Sequence, residues 1–294
     1  MPINSSFRSY SRNALRIAAL SLCAQISSAG GPIVEIQPGT ARPGDAVLVQ
    51  LRHVSELPTG SLGVAPLSFF RVSEEYWALE GLSVEQPAGE LEVRIKLSAE
   101  AGGSPAVDLT GSIEVLKPDF IERELTVANR YIRPSRADRK WMRDDRIAFD
   151  RAYHQAFEPP QFTANFIWPV DHAMTARFGE LRLFNGKKES QHFGTDLQGR
   201  TGDPVVASNG GSVVLTRRCF ASGNTVIVHH GINLFTAYFH LSKIAVRNGE
   251  RVKQGQLIGR VGRTGRVTGP HLHWAAKIDG QYVDAESLLR IRFR

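Results

Sequence analysis

The sequence predicts a mainly β protein in three parts: an amino-terminal β-sandwich, one connecting helix and a compact antiparallel β domain at the carboxy terminus. Three observations carry that prediction. Leu91-Glu92-Val93-Arg94-Ile95-Lys96-Leu97 places apolar residues at every odd position, the period of a strand with one buried and one wet face. After Pro134-Ser135 the spacing becomes helical, and after Phe166 short apolar runs alternate with glycine-rich turns. A length of 294 residues suits two modest domains. With 42% apolar and 22% charged residues, composition is ordinary and excludes both wholesale disorder and a polytopic membrane protein.

Residues 1–29 read as a signal peptide. Arg8, Arg12 and Arg16 precede an apolar stretch, Ile17 to Cys23, that is too short to span a bilayer, and Ser27-Ser28-Ala29 supplies small residues for cleavage after Ala29. A lipoprotein reading centred on Leu20-Ser21-Leu22-Cys23 ranks second, because Leu22 is bulky where such sites take a small residue. The mature chain is then expected to be exported to the periplasm or cell envelope, or secreted, with no transmembrane helix. Loss of the three arginines lowers the formal charge from +7 to +4 and leaves Cys219 without an intramolecular disulfide partner. A small buried hydrophobe is the better reading of Cys219 than a nucleophile. The residual positive charge favours an anionic partner without choosing one.

Residues 30–118 are expected to form an immunoglobulin-like antiparallel sandwich. Runs at Ala46 to Leu51, Tyr76 to Leu79 and Ile113 to Leu116 are separated by Pro38-Gly39, Pro43-Gly44 and Gly102-Gly103. His53 and Glu74-Glu75 make no catalytic constellation there. Residues 119–160 are expected to be a linker with a helix of about five turns. Asp138 stands at capping-box spacing, Met142, Phe149 and Tyr153 share one face, and Pro159-Pro160 ends the segment. Acids at 138, 144, 145 and 150 interleave with its basic residues, which predicts a solvated connecting helix and no nucleic-acid partner. Residues 161–294 form the carboxy-terminal domain, with expected strands from Pro204 to Ala275 and no long amphipathic helix.

The chemistry concentrates there, since seven of the nine histidines follow residue 171. His192, His240, His271 and His273 stand beside glycine-rich turns together with Asp196. Neutral imidazole and carboxylate are the ligands of catalytic zinc sites, which use three protein donors and leave a place for water. In His271-Leu272-His273, positions i and i+2 of a strand share a face, so both imidazoles meet one site. Spacing alone does not say which of them binds metal. His192 and Asp196 would lie about 13 Å apart on a straight strand. The segment must therefore bend, and Gly194 is expected to supply the bend's backbone conformation.

Taken together, His192 to Asp196, Tyr238-Phe239-His240-Leu241-Ser242, Gly262-Arg263-Thr264-Gly265 and Thr268-Gly269-Pro270-His271-Leu272-His273 resemble the lysostaphin-like (LytM-type) zinc endopeptidases of peptidoglycan. The resemblance extends over about residues 168–284, with connecting matches at Gly202 to Ala207 and Val252 to Gly259. It implies a metallopeptidase fold for this domain, zinc as cofactor, and His192, Asp196 and His273 as its ligands. It makes His240 and His271 the catalytic pair, with general-base work assigned to His271 and oxyanion stabilisation to His240, and with exchange of those roles left open. Phe178-Gly179, Arg182 and Asn185 also match what precedes the first ligand, which gives Arg182 and Asn185 a weak expectation of placing substrate.

The implied substrate is the peptide stems or cross-links of bacterial peptidoglycan. Glutamate of an H-E-x-x-H motif, the base of thermolysin-like enzymes, is absent from the sequence. The rival of another class is a catalytically silent wall-binding module that activates another hydrolase. Loss of ligand residues is its usual mark, and none is lost. A phosphate-binding loop at Gly259 to Gly265 lacks the following helix that would bind the anion.

Overall fold

The computed structural model describes residues 24–27, 31–98 and 106–293. The expected signal peptide lies outside the described residues except for Ala24–Ser27, whose backbone pairs antiparallel with Ile33–Gln37. No helix among the described residues is long and apolar enough to cross a membrane.

Residues 24–27, 31–98 and 106–115 form two stacked sheets. One runs in the order Ala24–Ser27, Ile33–Gln37, Ala46–Arg52, Glu75–Gly81, Phe70–Val72; the other runs Thr40–Ala41, Val107–Val115, Gly89–Leu97, Thr59–Leu62, Ala65–Pro66. The alternation in Leu91 to Leu97 has its expected consequence. Val93 and Ile95 face the partner sheet and share a core with its Val49 and Leu51 and with Ile113 of their own sheet, while Glu92 and Arg94 stay outside and pair with each other. Val93 lies opposite Gly111 and Ile95 opposite Leu109 in the antiparallel ladder.

The strand Ala46–Arg52 behaves differently, because every residue from Ala46 to Leu51 is buried. Val47, Val49 and Leu51 point into the sandwich, whereas Ala46 and Leu48 join Trp77 and Leu79 in a second core shared with Val283, Leu288 and Phe293 of the carboxy-terminal part. A side chain such as Leu48 or Leu79 contributes roughly 1.5–3 kcal/mol by leaving water. The apolar run therefore has a buried face on each side of its sheet. Polar contacts close the seam: Asp284 N–H donates to the Gly44 carbonyl at 2.7 Å, Ala46 N–H donates to Ser287 Oγ at 2.9 Å, and Arg290 meets the buried Asp45 at 2.5 Å.

The helix spans Arg136–Tyr153. Ser135 is its N-cap, and its hydroxyl accepts from Asp138 N–H while the Asp138 carboxylate accepts from Ser135 N–H, the reciprocal box expected from the sequence. It ends six residues before Pro159, where His154 bonds the Asp150 carbonyl through its backbone N–H and its ring and the Gln155 side chain caps the carbonyls of Arg151 and Ala152. The solvated character expected of it is corrected. Ala152, Phe149 and Tyr153 pack on Ile227, Phe235 and Phe239 of the following β part, and Asp145 accepts from Arg217 Nε at 2.8 Å and from Phe220 N–H at 2.6 Å. Met142, expected on that face, is instead exposed.

The carboxy-terminal part is built on an eight-stranded sheet. Its order is Met174–Ala176, Thr195–Gln198, His271–Ile278, Leu234–Leu241, Gly223–His229, Gly211–Cys219 and Arg251–Val252, with Gln281–Val283 also on His271–Ile278. All of these pairs are antiparallel. A small sheet of Pro204–Val206, Leu257–Arg260 and Lys243–Ile244 stands beside it. A third sheet borrows from the segment expected to be a linker: Glu122–Leu125 pairs in parallel with Leu181–Phe184, which pairs with Lys188–Gln191. That last hairpin leads directly into His192.

Candidate metal centre and cleft

Strand register puts the site together. Asp196 and His273 are direct partners across Thr195–Gln198 and His271–Ile278, and Gln198 opposes His271. His271 and His273 share a face, while Leu272 and Trp274 between and after them are fully buried in the core behind. His192 precedes the strand and returns to the same point. Its Nε2 lies 3.1 Å from Asp196 Oδ1 and 2.9 Å from His273 Nδ1, and His273 Nδ1 lies 2.8 Å from the same Oδ1.

Gly194 allows this for a reason other than the expected one. Its φ is not positive; a Cβ there would sit 2.5 Å from His273 Nε2 and 2.8 Å from the Trp274 carbonyl oxygen. The glycine is required by close approach of the imidazole and backbone, not by a left-handed turn.

The outward atoms of the donors are already committed. His192 Nδ1 donates to the Arg177 carbonyl at 2.7 Å, which fixes the tautomer with a lone pair on Nε2, and Arg182 Nη2 holds Asp196 Oδ2 at 2.8 Å, leaving Oδ1 for the centre. Glu180, almost fully buried, receives both Arg182 and Arg123 at 3.1 Å, so a residue of the Glu122–Leu125 strand anchors the chain of charges behind the ligand. Burial works to raise the Asp196 carboxyl, but the adjacent His192 and His273 rings, whenever a proton lies between them and Oδ1, hold it well below the usual range. Burial drives the His273 imidazole down to about 4 against the pull of Asp196.

Two imidazoles and one carboxylate thus turn lone pairs on one point. Tetrahedral zinc with bonds of about 2.0–2.1 Å separates its ligand atoms by about 3.3 Å, close to the spacings here. The residues fit the ion, and among the described residues they are the group of three able to hold one.

His240 and His271 stand beside this set with ring centroids 5.0 Å apart. His271 Nδ1 donates to the Gly269 carbonyl at 3.0 Å and His240 Nδ1 to the Thr264 carbonyl at 2.8 Å, so each neutral ring carries its lone pair on Nε2. His271 Nε2 is 3.7 Å from Asp196 Oδ1. His240 reaches the cleft through a break in strand order. Tyr238 faces the core and Phe239 stacks on His273, so a regular strand would send His240 to the core side. A register shift near Leu241 and a φ of 62° at His240 return its ring to the site face. Burial, then the neighbouring His271 and His273, hold its imidazole well below the ordinary histidine range.

These groups open on a cleft of about 500 Å³, whose wall includes Arg123, Phe184, Phe239 and Arg266. Of the residues expected to place substrate, Arg182 lines the cleft but is spent on Asp196, and Asn185 binds both backbone groups of Val127, which ties the hairpin to the linker strand. Cys219 is buried, and desolvation raises its thiol to about 11, which removes it as a nucleophile. Glu180, Arg123 and Arg266 serve the cleft without having been expected to, and Phe239 stands inside the Tyr238 to Ser242 motif with no role of its own assigned to it. The signal available for Arg266 is its place between two glycine-rich motifs.

Fold and donors define an antiparallel β domain with a candidate metal centre flanked by two further imidazoles. Residues 190–285 match the model of peptidase family M23. Over 121 residues the chain is 44% identical to the peptidoglycan DD-endopeptidase ShyA of Vibrio cholerae, covering 40% of this chain and 28% of that protein. It is 42% identical over 97 residues to the DD-carboxypeptidase/endopeptidase Mpg of Neisseria meningitidis, covering 33% of this chain and 22% of that one. A crystal structure from Pseudomonas aeruginosa assigned to peptidase M23 superposes with a TM-score of 0.61 at 25% identity, over 84% of this chain and 94% of its own. The chain contains a peptidase family M23 (LytM-type) domain, and His192, Asp196 and His273 supply it with a donor set that suits zinc. The matched region spans less than a third of these curated relatives.

Proposed function

We propose that the chain is an exported zinc-dependent endopeptidase that hydrolyses peptide cross-links of bacterial peptidoglycan. One observation carries the reading: three lone-pair donors converge beside two imidazoles that carbonyl partners hold in the same tautomer, all on an open cleft. Relatives named peptidoglycan DD-endopeptidases support the substrate class. The basic, short apolar amino terminus supports export to the periplasm or cell envelope.

His192, Asp196 and His273 would hold the ion, with Arg182 and the Arg177 carbonyl fixing two of them from behind. When bound, zinc polarises a carbonyl and acidifies water, supplying a nucleophile near neutral pH. His271, the nearer of the two imidazoles to Asp196, accepts the proton of the attacking water at Nε2 and passes it to the leaving amine. His240 cannot donate to an oxyanion from its resting tautomer, since its only N–H is bound to Thr264. It aligns the water or the substrate amide by accepting a hydrogen bond, and it stabilises negative charge only once its Nε2 has gained a proton.

The test is digestion of peptidoglycan sacculi by the purified mature chain, with and without chelator, followed by mass spectrometry of the fragments. Chelator-sensitive release of peptides cut within cross-links is expected. Intact sacculi under zinc-replete conditions overturn the substrate; cleavage indifferent to chelator overturns the metal.

A further inference from the structure

Three arginines line the cleft, and two of them have carboxylate partners: Arg123 meets Glu180, and Arg182 meets Glu180 and Asp196. Arg266 is the third. Its guanidinium lies 4.4 Å from the centroid of the buried Phe184 ring, and among the described residues no carboxylate stands within ion-pair distance of it. The platform is fixed on both sides. Arg266 N–H donates to the Ala221 carbonyl at 2.7 Å, and Tyr131 Oη donates to the preceding Gly265 carbonyl at 2.7 Å.

A half-buried guanidinium stacked on an aromatic face keeps its full charge and its planar fork of donors. Cations withdrawn from water are ordinarily paired, and here the acids that could pair it are already taken. Asp196, the one acid lining the cleft among the described residues, is held by Arg182 and two imidazoles. The cleft therefore presents an unpaired bidentate donor beside the reaction centre, a fit for a carboxylate arriving with the substrate.

We propose that Arg266 is a specificity residue that binds a free carboxylate of the peptidoglycan stem next to the bond that is cut. This inference rests on the proposed endopeptidase reading and deepens it, because it favours stem cross-links, which carry free carboxylates, over neutral glycine bridges. Two carboxylates share the chemistry: the terminal carboxylate of a stem and the side-chain carboxylate of its diamino acid.

The zinc-loaded full mature chain is assayed on three synthetic cross-linked stem dimers, one with all carboxylates free, one amidated at the terminal carboxylate, and one amidated at the diamino acid. Wild type should lose roughly 10- to 100-fold in kcat/KM on one of the amidated dimers, the worth of a charged hydrogen bond, and which one identifies the source. Arg266→Gln should show the same loss on the free dimer and none further on amidation. Arg266→Lys should recover part of the rate, since it restores charge without the fork. The wild-type comparison stands even if the glutamine variant melts early or fails to hold zinc. Equal cleavage of all three dimers by wild type, or an equal loss on all three in a zinc-loaded Arg266→Gln, overturns the inference while leaving the endopeptidase reading intact. No cleavage of any dimer by zinc-loaded wild type overturns both.

Discussion

The two halves of the site are held by different kinds of structure. Asp196 and His273 are ordinary partners in a regular antiparallel ladder, so hydrogen-bond register alone brings two donors together. His240 depends on an irregularity, a shifted register and a left-handed backbone that turn its ring out of the core. The ligand half is thus fixed by the sheet, whose distortion costs many hydrogen bonds. The proton-handling half hangs on turn carbonyls, Thr264 and Gly269, that lie between Gly262 and Pro270. A mutation should be able to silence the second half and leave the first loaded with metal.

The sharpest way to break this division is within His271-Leu272-His273. His273→Ala should lose zinc and hydrolysis together, down to background, because two protein donors remain. Metal content and muropeptide cleavage measured on one preparation decide it. A zinc-loaded His273→Ala beside an empty His271→Ala would reverse the assignment.

Next in size, His271→Ala and His240→Ala should keep zinc and lose roughly 10²–10⁴-fold in kcat, the usual cost of a positioned acid or base. Normal turnover in both variants would remove them from the mechanism.

Arg182→Gln sharpens the ligand half, since it frees Asp196 Oδ2 and leaves Glu180 with Arg123 as its remaining guanidinium partner. Zinc affinity should weaken by about 10–100-fold, as for other residues that orient a metal ligand, while kcat at saturating zinc changes less. Competition with a fluorescent chelator reads the affinity. An unchanged affinity would show that the ladder alone orients Asp196.

The smallest effect is in pH dependence. Burial and neighbouring imidazoles lower the His240 pKa, so its basic form persists below the ordinary histidine value. If His240 works unprotonated, the acid limb of kcat/KM falls below about pH 6.5. A limb above that value would assign the titration elsewhere.

Much of this was legible in the chain. The alternation of Leu91 to Leu97, the Ser135–Asp138 box and the His-x-His spacing act over a few residues, where strand and helix periods fix which side chains share a face. The readings that changed concern surfaces rather than elements. The helix from Arg136 reads as solvated because its acids and bases interleave, yet Phe149, Ala152 and Tyr153 are few and large enough to dock it. Ala46 to Leu51 reads as one buried face in a sandwich, yet both faces are covered, a distinction that an unbroken apolar run cannot make. The expected boundary at residue 161 likewise follows a change of local pattern, while Glu122–Leu125 pairs beyond it.

Donor types, the order of the motifs and the shared strand face of His271 and His273 follow from the chain alone, because those depend on chemistry and on a period of two. Tertiary packing was needed for Asp196 to oppose His273, for an imidazole to crowd Gly194, for His240 to turn toward the cleft, and for Arg266 to lie over Phe184 with no acid partner among the described residues. Each of these depends on register between strands distant in sequence and on a local break in it. Long-range register is set by the packing of both sheet faces at once, which no window of neighbouring residues contains.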